Sequence, residues 1–271
     1  MNALIRTCFF IFVFSIYFHF AATAQVTPLP NAHAHNDYKH AHPLQDAMAC
    51  GFTSFEADIF LKHNSFIVAH ISPALKKTRT LESLYLKPLY DTVTKNKGSV
   101  YPGYATPVML FIDIKTDAEQ TYTALKPLLE KYSSMLTHYE NGKIIPGAVT
   151  IILTGHKPYN SINSETTRLA FIDESLLSVG KNKYEASTCP LASTKYSNIL
   201  SWKGKGKIPD DQKQKLIAWV NIAHLQGKKV RLWASPENEI VWKMLLDCGV
   251  DLINTDELEK LRDFLLKRFS Q

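Results

Sequence analysis

Two kinds of apolar spacing take turns along this chain. Between Phe52 and Phe60 the side chains alternate, with Ser54, Glu56 and Asp58 on the face of Phe52 and Thr53, Phe55, Ala57 and Ile59 on the other. That period of two marks a strand with one apolar and one acidic face. Pro107 leads into Val-Met-Leu-Phe-Ile-Asp113-Ile-Lys115, a run apolar on both faces, as a parallel strand covered on both sides must be. Shorter runs of similar character predict strands at Leu29–His33, Phe66–Ala69, Ala148–Leu153, Leu169–Ile172, Asn198–Trp202, Val230–Trp233 and Val250–Asn254.

Between these runs the spacing changes to three and four. Pro43 opens a short helix with Leu44, Ala47 and Met48 on one face, and Gly51 ends it. Helical spacing returns over Leu81–Lys95, from an Asp117 cap to about Ser134 with Pro127 as a kink, and weakly over Pro158–Arg168. It is clear over Asp210–Gln226, Pro236–Asp247 and Asp256–Phe269, with Gly227 and Gly249 closing the first two and Asn141-Gly142 marking a turn upstream. Strand and helix alternate over a length close to the ~250 residues usual for the architecture, which predicts an α/β fold, a single-domain (β/α)8 TIM barrel. An open doubly wound sheet would want a glycine-rich phosphate loop after the first strand, and none follows.

The N-terminus obeys a different rule. Arg6 precedes an apolar run from Cys8 to Phe20, and Ala22-Thr23-Ala24 follows. This is the pattern of a secretory signal peptide, too short for a comfortable membrane span. Residues 1–24 are expected to be removed near Ala24, leaving one domain over residues 25–271 that is secreted or periplasmic. Downstream, Cys50, Cys189 and Cys248 are odd in number and widely spaced, which argues against a disulfide framework and leaves room for one bridge at most. Lys and Arg number 31 against 25 Asp and Glu. So mild an excess suits an anionic substrate or a transient membrane-surface contact, and no basic patch with interleaved aromatics points to nucleic acid. A monomer is the expected state.

Candidate chemistry gathers in Asn31–His70, which holds six of the chain's ten histidines. Barrel sites form at the C-terminal ends of strands. The polar residues at those ends include His33, His35, Glu56, Asp58, His70, Asp113, Lys115, His156 and Trp233. Glu56 and Asp58 lie two apart on a strand and point the same way. With Asp113 they place three carboxylates at one mouth, where they repel one another unless a cation lies between them. All-oxygen ligation suits one divalent cation, Mg²⁺ or Ca²⁺, rather than Zn²⁺. Any one of the three could instead cap a helix or pair with a lysine; the three together, on successive strands, point to metal. His40, His42 and His63 read as bystanders, His138 and His224 as ordinary surface or core residues, and Lys203-Gly-Lys205-Gly-Lys207 as a solvated loop.

The segments AHAHNDY, GFTSFEADIFL, FIVAH and VMLFIDIKT, with the tail VRLWASPE and GVDLINTD, resemble the glycerophosphodiester phosphodiesterase / phosphatidylinositol-specific phospholipase C superfamily. The resemblance runs from His33 to Asp256 and is closest to a branch beginning HxHNDY; the sphingomyelinase D-type branch is similar in its E-x-D and D-x-K segments. It implies a metal-dependent phosphodiesterase with His33 and His70 as catalytic acid/base pair and Glu56, Asp58 and Asp113 as metal ligands. Lys115 and Trp233 match substrate-pocket positions, and His35 and His156 are candidate further substrate contacts. Two departures stand out. The HRG…PEN start gives way to His33-Ala-His35-Asn36-Asp37, and the usual His-Asp is here His70-Ile71; both leave glycerol specificity open.

The implied chemistry is physically coherent. A cation and Lys115 would neutralise the non-bridging phosphate oxygens, and two imidazoles, titrating near neutrality, can divide proton removal and donation. Attack by a neighbouring substrate hydroxyl and attack by water both remain open. The expected function is a secreted phosphodiesterase acting on a glycerophosphodiester or a phospholipid-headgroup-type diester. An amidohydrolase or histidinol-phosphatase-type hydrolase also begins with His-x-His, but needs more histidines on later strands. A catalytically silent headgroup-binding barrel is the second rival, and it has no use for both histidines and all three carboxylates.

Overall fold

A computed structural model describes residues 25–71, 79–181 and 184–269; the expected signal peptide lies outside the described residues. Eight strands run parallel: Leu29–Ala34, Phe52–Lys62, Val108–Ile114, Val149–Gly155, Ala170–Ser175, Leu191–Lys195, Lys229–Trp233 and Leu252–Thr255. The first pairs with the second through His33↔Ser54 and with the eighth through His33↔Asn254, so the sheet closes and leaves no barrel edge open. Helices return the chain after seven of the eight strands, from Gln45–Ala49 to Leu258–Phe269. After the fifth strand a single turn, Leu176–Ser178, does so instead. The architecture is the (β/α)8 barrel.

Two expected elements differ. Asn198–Trp202 is not a strand: Tyr196–Asn198 forms one turn of helix and the chain then runs as loop. The sixth barrel strand lies just upstream, at Leu191–Lys195. Its sequence LASTK is polar because Ser193 faces the barrel mouth, whereas Ile199 and Leu200 are buried from a loop. The helix expected over Pro158–Arg168 stops at Ser164, and Thr167–Arg168 joins His138–Glu140 and Lys143–Ile145 in a small antiparallel sheet. The Phe66–Ala69 run is a strand, Ser65–Val68, but it lies antiparallel on the second strand as a hairpin rather than in the barrel. Cys50, Cys189 and Cys248 are free, buried thiols.

Strand alternation divides the core into two parts. Most buried apolar side chains pack between sheet and helices. A smaller cluster of Phe111, Ile152, Phe171, Leu191 and Leu252 plugs the barrel. Each plug residue lies two positions before a polar one on its strand: Asp113, Thr154, Asp173, Ser193 and Asn254. The period of two therefore builds a dry floor and places a polar layer above it on the C-terminal side.

Candidate active site

That polar layer opens into a cavity of about 390 Å³ lined by His35, Glu56, Asp58, His70, Asp113 and Lys115 on one side. Thr154, Lys157, Asp173, Ser193, Arg231 and Trp233 line the other. Parallel pairing sets the acidic wall, with Asp58 opposite Asp113 and Asp113 opposite Thr154. Glu56, Asp58 and Asp113 can each offer an oxygen within 4.8 Å of the others. Lys115 Nζ binds Asp58 Oδ2 at 3.1 Å and Asp113 Oδ2 at 2.9 Å, while Oδ1 of both aspartates is buried without a partner. Two orphaned carboxylate oxygens beside a third carboxylate fit a hard divalent cation. Burial, with the charges of Glu56 and Asp58 beside it and Lys115 opposing, pushes Asp113 up to about 6, the strain that a cation would relieve.

Gly155 makes room for this arrangement. A Cβ there would lie 2.0 Å from Asp113 Oδ1 and 2.6 Å from the Ile114 carbonyl, and its φ is +68°. Only glycine combines that backbone with that approach.

The histidines separate by depth. His33 is fully buried, with Nδ1 2.7 Å from Ser54 Oγ and Nε2 2.8 Å from Arg231 Nη1. Since the guanidinium can only donate, Nε2 accepts and Nδ1 carries the proton. Burial and the Arg231 charge push His33 down to about 4; it is a neutral ring with both nitrogens engaged, below the cavity rather than in it. His35, two residues on, lines the cavity instead. Its Nδ1 donates to Asp256 Oδ1 at 2.7 Å, and Nε2 lies 3.8 Å from Glu56 Oε1. Burial lowers its affinity for a proton, but the Asp256 bond and the Glu56 charge outweigh that and raise its pKa. His70 reaches the rim from the hairpin, with Nδ1 3.3 Å from Asp58 Oδ2 and 3.1 Å from the Tyr38 hydroxyl.

Of the remaining candidates, Lys115 and Trp233 line the cavity and His156 does not; its Nδ1 binds the Thr116 carbonyl at 2.7 Å. None of Lys203, Lys205 and Lys207 reaches the lining. Four residues were not anticipated. Arg231 bonds Glu56 Oε2 at 2.5 Å and Asp173 Oδ2 at 3.4 Å, and lies over the Phe111 ring. Burial would raise Glu56, but the Arg231 charge beside it holds it far below the usual carboxylate range. Tyr38 donates to Asp58 Oδ2 at 2.8 Å, and Asp256 and Asp173 complete the set. A charged residue inside the apolar run VRLW was the available signal for Arg231.

The profile of one family, described as an AIM6-like phosphodiesterase domain, matches residues 21–173. The chain belongs to that family. "Altered inheritance of mitochondria protein 6" of Eremothecium gossypii is 30% identical over 278 residues, covering 89% of this chain and 71% of the relative. The homologue of that protein in Arthroderma benhamiae is 29% identical, covering 89% and 85%. In structure, a glycerophosphodiester phosphodiesterase from Parabacteroides distasonis aligns with a TM-score of 0.50 at 12% identity, over 90% of this chain and all of that one, a likeness of fold. The family's match spans the first four barrel strands, and with them every carboxylate of the candidate metal cluster.

Proposed function

We propose that this family member is a secreted or periplasmic metal-dependent phosphodiesterase, acting on a glycerophosphodiester or a phospholipid-headgroup-type diester. The observation that carries the reading is the cluster of Glu56, Asp58 and Asp113, with two orphaned oxygens, between His35 and His70 in one cavity. These carboxylates would hold one Mg²⁺ or Ca²⁺, which supplies charge neutralisation for the phosphate. Lys115 adds a second positive charge against the same oxygens.

His35 takes the proton-transfer role that the sequence reading gave to His33. Asp256 fixes the proton on Nδ1 and favours the imidazolium, so Nε2 is poised as general acid toward the leaving oxygen. His70 directs Nδ1 at Asp58 and Tyr38, leaving Nε2 at the open rim to remove a proton from the attacking hydroxyl. His33 then acts as a positioning residue, holding Arg231 and through it Glu56. The all-carboxylate cluster speaks against the amidohydrolase-type rival, which would need imidazole ligands there.

Hydrolysis of bis(p-nitrophenyl) phosphate tests the reading. Activity is expected, lost with EDTA and restored by Mg²⁺ or Ca²⁺; no activity on any diester, or rescue by Zn²⁺ alone, overturns it. His35→Ala and His70→Ala should each lower kcat roughly 10²-fold or more with cation affinity nearly kept. His33→Ala should instead lower thermal stability, because Arg231 and Ser54 lose a buried partner.

A further inference from the structure

Two lysines near the wall facing the carboxylates are not used by the proposed chemistry. Lys157 follows the fourth barrel strand and lines the cavity, and Lys195 ends the sixth. The register sets Lys195 beside Trp233, with its ammonium 5.7 Å from the centre of the indole ring. Among the described residues neither lysine has a carboxylate within ion-pair distance.

Charge balance in the cavity gives these lysines a meaning. One divalent cation and Lys115 would offset Glu56, Asp58 and Asp113, and Arg231 pairs with both Glu56 and Asp173 at the floor. Lys157 and Lys195 take no part in these ion pairs. A phosphodiester brings a single negative charge, which faces the cation site and Lys115 across the cavity. Complementarity of charge between site and ligand sets specificity and encounter rate. The Trp233 face, the natural seat for a quaternary ammonium, is already taken by Lys195, and a second cation there would be repelled.

We propose that Lys157 and Lys195 form a subsite for a second anionic group, a carboxylate or phosphomonoester, on one alcohol arm of the diester. The inference rests on the phosphodiesterase reading and specifies the class of substrate: a diester of overall charge more negative than minus one. Diesters with a cationic headgroup are poor substrates of this site.

A matched series of p-nitrophenyl phosphodiesters tests this, the second alcohol being 3-hydroxypropanoate, ethylene glycol monophosphate, 1-propanol or choline. The first two arms distinguish a carboxylate from a phosphomonoester. At ~50 mM salt the better anionic diester should exceed the propyl one in kcat/KM by roughly tenfold, the choline diester should be the worst, and ~500 mM salt should compress the spread. Lys157→Gln and Lys195→Gln should each reduce the anionic-to-propyl ratio by about three- to tenfold. Lys157 is half-buried and Lys195 exposed, and neither is held in an ion pair, so these variants should fold. A ratio unmoved in both variants, or a propyl or choline diester used as well as the anionic ones, overturns the subsite. The same ranking is read by calorimetry with the non-hydrolysable 4-nitrobenzylphosphonate analogues, in which CH2 replaces the bridging oxygen of the nitrophenyl ester. Equal affinities, or none, overturn the subsite, whereas graded affinities without turnover sustain it and overturn the phosphodiesterase reading.

Discussion

At the scale of single residues, the cluster depends on what is missing at position 155 as much as on what is present at 56, 58 and 113. The Asp113 carboxylate occupies the space that a side chain at Gly155 would fill. Gly155→Ala should therefore move Asp113 off its partners and strain the backbone. Cation affinity measured by calorimetry should fall at least roughly tenfold, together with about 1–3 kcal/mol of stability in urea denaturation. The carboxylates themselves were readable in the sequence, because an acid inside an apolar strand and an acid pair two apart both declare an inward, mouth-facing position. The choice between His33 and His35 was not readable. Both project inward, and only the barrel's stagger puts one beneath the floor of the cavity and the other on its wall. Arg231, Asp173 and Asp256 were hidden for another reason: their partners lie 175, 58 and 221 residues away.

Among elements, long strands and amphipathic helices announced themselves and the barrel followed, while the sixth strand did not, because LASTK is short and has a single large apolar residue, Leu191, with polar Ser193 at the next inward position. Strands five and seven are also joined by a contact that no local pattern reveals. Lys228, at the entry to the seventh strand, is buried against Glu174 of the fifth and donates to the Tyr184 carbonyl at 2.6 Å. Removing one partner strands the other as an uncompensated charge. Lys228→Met should cost about 3–5 kcal/mol in chemical denaturation, and adding Glu174→Leu should recover most of it. Equal losses in the single and double variants would show that the pair is not coupled.

For the whole molecule, pH enters stability through a buried acid outside the cluster. Asp37 accepts from the Leu44 amide at 2.6 Å and the Tyr85 hydroxyl at 2.8 Å, with Oδ1 unpartnered. Burial pushes it from 3.8 up to about 6. The native state thus holds this proton more tightly than the unfolded chain. The stability it contributes is present below about pH 4 and is lost as pH rises through about 6. Asp37→Asn should melt higher than the parent at pH 8, by on the order of 2 kcal/mol, and the advantage should vanish near pH 4; a constant offset across that range would contradict the assignment. The His35–Asp256 bond has a consequence of its own for how activity is acquired. It joins a residue near the start of the barrel to one after its last strand, across the seam where the first and eighth strands meet. A chain emerging N-terminus first already carries all three carboxylates, His35 and His70 by residue 113, yet the imidazole proposed as general acid lacks its Asp256 partner until the final strand docks. On the proposed mechanism, chemical competence would come only with barrel closure.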